Sequence, residues 1–122
     1  MIIIFDTETA DFPSKSGYKP TMMQLAYAVF DADGNQVHSH CTYVKPPAGG
    51  FKISDGAFNA HGITNQVCQE KGSEIVEVLH NFCGWLEKAT HVVAHNIEFD
   101  SAVIVLEMTE HKIRPKSKGY TK

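Results

Sequence analysis

The chain opens with Ile2, Ile3, Ile4 and Phe5, and that run passes at once into Asp6, Thr7, Glu8 and Thr9. A short β-branched and aromatic run reads as a buried strand over residues 2–5. Along a strand, side chains two apart point to one face. Asp6 and Glu8 therefore stand side by side next to an apolar strand, where unpaired negative charge is costly. A positive group would offset them. Oxygen donors of this kind select a hard divalent cation, Mg²⁺ or Mn²⁺. The structural alternative is that Asp6 caps a turn and Glu8 lies in solvent.

A chain of 122 residues fits one domain. Its formal charge of −3 excludes a general basic field for nucleic acid. Binding of a polyanion must then be local or assisted by metal. Cys41, Cys68 and Cys83 are odd in number and form no Cys-x-x-Cys pair, which speaks against a disulfide framework or a zinc ribbon. A reducing, cytoplasmic setting is expected, with no signal peptide and no run long enough to span a membrane. His38, His40 and Cys41 lie close in sequence, but strand alternation puts the cysteine on the opposite face, so they make a weak metal candidate.

The pattern predicts three strands, a helix, a strand and a helix. The region from Asp11 to Thr21 reads as a loop, with Pro13, Gly17 and Pro20. Gln24 to Phe30 reads as a strand buried on both faces. Asp33-Gly34 signals a hairpin turn, and Gln36 to Val44 forms its second strand. Pro46, Pro47, Gly49 and Gly50 break the chain. Residues 51–71 read as a short helix and loops around Ala60-His61-Gly62-Ile63-Thr64. Ser73 is placed to cap a helix running to about Lys88, with Ile75, Val78, Leu79, Phe82 and Leu86 on its packed face. Trp85 joins that face. His91 to Ala94 reads as a short buried strand, and Asn96 caps a last helix that fades before Pro115. The first three strands form an antiparallel meander, and the helical crossover makes the fourth parallel to a neighbour. The expected fold is a mixed α/β sheet with flanking helices.

A second constellation follows the fourth strand, in Ala94-His95-Asn96-Ile97-Glu98-Phe99-Asp100. Asn96 and Asp100 are four apart and share a helix face. Asp100 falls in the first helical turn, at the carboxyl end of a strand, the edge that sites in α/β sheets favour. If the first and fourth strands are neighbours, Asp100 lies beside Asp6 and Glu8. Three such carboxylates repel one another, so at least one pKa should rise without metal. The competing reading makes Asn96 a plain cap and Asp100 an acid that suits the helix dipole.

Together these motifs resemble the DEDD superfamily of 3′→5′ exonucleases, and most closely its proofreading-subunit-like branch, which includes the epsilon-type exonucleases of bacterial DNA polymerase III. Asp6-Thr7-Glu8-Thr9 is similar to the first family motif, His95-Asn96-x-x-Phe99-Asp100 to the second, and Ala60-His61-Gly62-Ile63-Thr64 to a segment often found between them. The resemblance covers essentially the whole chain. It implies a ribonuclease H-like fold and two-metal hydrolysis at a DNA 3′ end, single-stranded DNA being favoured. Asp6 would bridge two Mg²⁺ or Mn²⁺ ions, Glu8 would bind the ion holding the attacking water, and Asp100 would support the second. Thr7, Thr9, His61, Asn96 and Phe99 would form the surroundings of the terminal nucleotide. For Phe99 packing beneath the site competes with stacking, and for His61 a turn-stabilising role competes with contact to the nucleotide.

The family pattern has a third motif, a histidine or tyrosine followed four or five residues later by aspartate. The sequence has no aspartate after Asp100; His111 is followed by no acid, and Tyr120 lies near the end. Residues 1–122 therefore read as a partial exonuclease domain without its last strand and helix, incomplete at the C-terminus. Residues 112–122, with Lys112, Arg114, Lys116, Lys118 and Lys122, read as a flexible basic connector. On this reading activity is impaired unless a longer product or a partner, such as a polymerase, supplies the rest. The alternative is a catalytically inactive module that binds nucleic acid or a polymerase partner.

Overall fold

A computed structural model describes residues 1–11 and 21–115. Most of the expected first loop and of the basic tail lie outside the described residues. The elements are β1 (Ile2–Thr9), β2 (Met22–Phe30), β3 (Gln36–Tyr43), α1 (Asp55–His61), α2 (Asn65–Lys71), α3 (Ile75–Leu86), β4 (His91–Val93) and α4 (Ile97–Glu110). The sheet order is β3-β2-β1-β4, with β1 antiparallel to β2, β2 antiparallel to β3, and β1 parallel to β4. This is the expected mixed sheet: a three-strand meander plus one parallel strand.

β1 runs beyond the predicted residue 5 and carries both acids within the strand. Its buried face is Ile3, Phe5, Thr7 and Thr9. The β-branched threonines continue the buried stripe that the isoleucine and phenylalanine begin. The other face holds Ile2, Ile4, Asp6 and Glu8. The run is thus not buried throughout, since Ile2 is 36% and Ile4 46% exposed. β2 departs from expectation in the same way. Leu25, Tyr27 and Val29 are buried, while Gln24, Ala26, Ala28 and Phe30 are half-buried. One face of the sheet is covered by α3 and the other is more open.

The hairpin forms as the Asp33-Gly34 signal predicts. The Asp31 N–H donates to the Asn35 carbonyl at 2.9 Å, and Gly34 takes φ +86°. That left-handed angle favours glycine.

The core lies between the sheet and its helices, with α3 contributing most and Val103, Ile104 and Met108 of α4 joining it. Val78, Leu79, Phe82, Cys83 and Leu86 are buried against it. The Phe82 ring stands 5.4 Å from Phe5 and 4.9 Å from Tyr27. Burying each such side chain contributes roughly 1.5–3 kcal/mol. Trp85 is half-buried beside this core and stacks on His38 at 4.7 Å. His38 and His40 both pack against Tyr27. Cys41 pairs in register with Ala26 on the opposite face, as alternation requires.

Other boundaries depart from the sequence reading. Ser73 does not cap α3; the N-cap is Glu74, which makes no side-chain cap bond. The Ser73 backbone is instead bridged to Val44: its N–H donates to the Tyr43 carbonyl and its carbonyl accepts from the Lys45 N–H, each at 2.9 Å. Strand-like pairing wins over capping because it satisfies two backbone groups at once. β4 is not buried. His91 and Val93 are exposed, because β4 is the sheet edge among the described residues. Two short helices occupy 51–71 where one was expected, and Gly62 separates them. Ile113, inside the stretch expected to be a connector, is buried and donates to the Met108 carbonyl at 2.9 Å. Among the described residues no helix is long and apolar enough to cross a membrane.

Candidate active site

β4 ends opposite Ile4, so the second half of β1 has no strand on that side among the described residues. The first turn of α4 fills the place. Asn96 starts it: its side-chain oxygen accepts the Phe99 N–H at 3.3 Å. Asp100 then turns inward, 3% exposed. Its Oδ1 accepts from the Thr7 N–H at 3.2 Å and from the Thr7 hydroxyl at 2.6 Å. The Thr7 backbone is flanked in sequence by Asp6 and Glu8, so this bond fixes the helix acid against the strand acids.

A cleft of about 140 Å³ results, lined by Asp6, Thr7, Glu8, Thr9, His61, His95, Asn96, Phe99 and Asp100. All eight site residues implied by the resemblance, Asp6, Thr7, Glu8, Thr9, His61, Asn96, Phe99 and Asp100, lie on it, while His38, His40 and Cys41 do not. The sequence reading assigned no role to His95, which also lines it. Its position before the Asn96 cap was the available signal.

The acids perturb one another. Partial burial raises the Asp6 carboxyl above its ordinary value; the nearby Asp100 adds to this, while His95 and the Thr7 N–H oppose it. Glu8 is raised by partial burial, then by Asp6 and Asp100, and His61 opposes. Both strand acids therefore rise, through burial first and through their carboxylate neighbours second.

Other polar groups on the cleft are bonded internally. The Thr9 hydroxyl donates to the Asp11 carbonyl at 2.6 Å. His61 Nε2 bonds the Thr9 carbonyl, and its Nδ1 accepts the Ile63 N–H, both at 2.9 Å. These bonds favour the turn-stabilising role for His61. Phe99 packs partly buried against the core.

The donor set suits a hard divalent ion. It consists of carboxylate oxygens whose mutual repulsion a cation would relieve. Among the described residues no three His, Cys, Asp or Glu side chains close into a ready metal cage. Asp100 is drawn onto Thr7 instead of onto Asp6 and Glu8. Mg²⁺ does not require such a cage, since it is commonly held by one or two carboxylates, water and substrate phosphate.

An exonuclease family model, RNase_T, matches residues 3–120. The chain belongs to this exonuclease family. No curated protein sequence matches it. Among solved structures, E. coli exonuclease I in complex with a 5cy-dA13 oligonucleotide superimposes with TM-score 0.79 at 19% identity, over 94% of this chain and 25% of that one. The same E. coli enzyme with a dA16 oligonucleotide gives TM-score 0.80 at 20% identity, over 93% and 24%. A complex described as ExoI/SSB-Ct gives 0.78 at 20%, over 94% and 25%. At these identities the likeness is one of fold, and the sheet and helices described above are those of a ribonuclease H-like exonuclease domain. The chain spans about a quarter of the length of these proteins.

Proposed function

We propose that this exonuclease-family chain forms the metal-binding half of a 3′→5′ exonuclease site acting on single-stranded DNA. The observation that carries the reading is the shared cleft of Asp6, Glu8 and Asp100 at the carboxyl end of β1. Asp6, Glu8 and Asp100 would hold divalent ions, which would supply hydroxide near neutral pH and stabilise the leaving oxygen. The Asp6–Glu8 face is the open face of the sheet, so a phosphate can approach it. Asn96 and Phe99 border the same cleft, where they would meet a terminal nucleotide. The oligonucleotides bound to exonuclease I support single-stranded DNA as the ligand class. The sequence motifs carry the finer likeness to proofreading subunits. The sequence carries no third-motif aspartate after Asp100, and that observation favours the second reading, a catalytically inactive module that binds nucleic acid or a polymerase partner.

The test uses one oligonucleotide labelled at its 5′ or its 3′ end, with Mg²⁺ or Mn²⁺. The expected result is a ladder shortened from the 3′ end, immediate release of the 3′ label, and loss of both with Asp6→Ala. Cleavage of circular single strands would overturn the exonuclease assignment. Binding without cleavage in Mn²⁺ would instead favour the inactive module.

A further inference from the structure

We propose that His61 is a positioning residue that clamps the Thr9 carbonyl and thereby fixes the aim of the neighbouring Glu8 carboxylate, an inference that rests on the nuclease reading above. Both ring nitrogens are engaged. Nδ1 accepts the Ile63 N–H at 2.9 Å, so it carries no hydrogen. The proton of the neutral ring then resides on Nε2 and is donated to the Thr9 carbonyl at 2.9 Å. The hydrogen-bond network thus selects one tautomer of the neutral ring.

The clamp acts where the β-ladder breaks. Glu8 pairs with Gln24, but Thr9 pairs with Met22, so Met23 is skipped. Such a bulge re-aims the side chains beside it. Glu8 is the residue just before the break, and His61 holds the carbonyl just after it.

The anchor on the far side is rigid. Ile63 is buried in the core. Gly62 closes α1 with φ +68° and donates to the Phe58 carbonyl at 2.7 Å. Thr64 caps α2 through its hydroxyl, which accepts the Val67 N–H at 3.1 Å. At the other end of α1 the Ser54 N–H donates to the Ala10 carbonyl at 2.9 Å. Helix α1 is therefore strapped at both ends to the last residues of β1 and the residue after it, and His61 is the side-chain end of that strap.

Amide side chains separate the two bonds. Glutamine sets an amide N–H near the place of Nε2, and asparagine sets an amide oxygen near the place of Nδ1. His61→Gln should keep the Thr9 clamp, whereas His61→Asn should keep only the Ile63 bond. The measurements are kcat and KM on single-stranded DNA, the amide NMR shifts of Glu8 and Thr9, and a melting curve to show that each variant is folded. The expected result is that His61→Gln retains kcat within about threefold of the parent. His61→Asn and His61→Ala should lose on the order of 10²-fold in kcat with KM little changed, because a misplacement near 1 Å costs about that much. The Glu8 and Thr9 amide shifts should move in the asparagine and alanine variants and stay in place in the glutamine variant. Parent-like shifts and parent-like kcat in folded His61→Asn would overturn the proposal. A parent protein that binds DNA without cleaving it would favour the inactive module instead, and the amide shifts would then decide the clamp alone.

Discussion

The Asp100 carboxylate takes two hydrogen bonds from Thr7, one from the backbone N–H and one from the hydroxyl, across 93 residues of sequence. Both residues are buried. A carboxylate placed there without donors would carry an uncompensated desolvation cost. Thr7 removes that cost and draws the first turn of α4 onto β1, beside the strand acids. One threonine thus links the two sequence motifs mechanically.

Thr7→Val tests this link. It keeps the shape and the backbone donor but removes the hydroxyl from a buried, charged acceptor. The expected loss is about 1.5–3 kcal/mol in urea denaturation, the range for a hydrogen bond to a charged group. Thr7→Ser restores the donor and should recover most of it. Nuclease activity should follow the same order, since Asp100 loses half its fixation in the valine variant.

Divalent ions should stabilise the folded chain through the acids. At an ion concentration ten times the Kd, linkage contributes about 1.4 kcal/mol. For a domain near 100 residues, that moves Tm by roughly 4–8 °C per kcal/mol. Melting curves with Mg²⁺ or Mn²⁺, before and after EDTA, would show the shift. Asp6→Ala should abolish it and lower kcat by at least about 10²–10³-fold, the usual effect of removing one main electrostatic stabiliser. An Asp6→Ala chain that still responds to the ion would move the binding site elsewhere.

Much of this arrangement was legible in the sequence because it is local. Alternation alone put Asp6 and Glu8 on one face. Asn96 caps α4 as its place before the helix implied, and Asp33-Gly34 made the hairpin. What failed to show was non-local. Nothing around Ser73 reveals that its backbone pairs with Val44, because the partner is 29 positions away. Glu107 is buried, with its Oε2 accepting the Met22 N–H at 2.9 Å, yet it reads as an ordinary surface acid of a helix. The apolar residues of α4 offered no clean stripe either: Val103, Ile104 and Met108 are buried while Val105 and Leu106 are exposed. β4 looked buried from its valines, and only the sheet order shows it to be an edge.

The raised carboxyls give a pH dependence of defined sign. Both Asp6 and Glu8 bind a proton more readily in the fold than in the unfolded chain, whose ordinary values are 3.8 and 4.5. Without metal, their ionisation destabilises the fold. That penalty is absent below the ordinary values and is fully present above the raised ones. Asp31 has the opposite sign. Its carboxylate is held below the ordinary range, first by the Asn35 N–H, so its contribution is present at neutral pH and lost in acid. Asp6→Asn combined with Glu8→Gln should therefore raise metal-free stability at pH 7 and leave it unchanged well below pH 4. Urea midpoints measured across pH 3–8 in EDTA would check this. A double variant with the parent's stability at both ends would show that neither burial nor mutual repulsion burdens the two acids.

Gly72 and Gly84 make a contrasting pair. A Cβ at Gly72 would strike the Cys68 carbonyl oxygen, and would lie 2.7 Å from both the Lys45 nitrogen and the Val44 carbonyl carbon. All three are backbone atoms, so no side chain can swing aside. This is where the end of α2 meets the end of β3, next to the Ser73 bridge. Gly72→Ala should therefore cost about 1–3 kcal/mol as overpacking, at the upper end of that range. At Gly84, inside α3, an added Cβ meets nothing within 4 Å. Gly84→Ala should stabilise the fold by about 0.8–1.0 kcal/mol through helix propensity. The two variants measured side by side in urea separate steric exclusion from conformational freedom, and equal effects of the same sign would contradict the packing described for the α2–β3 junction.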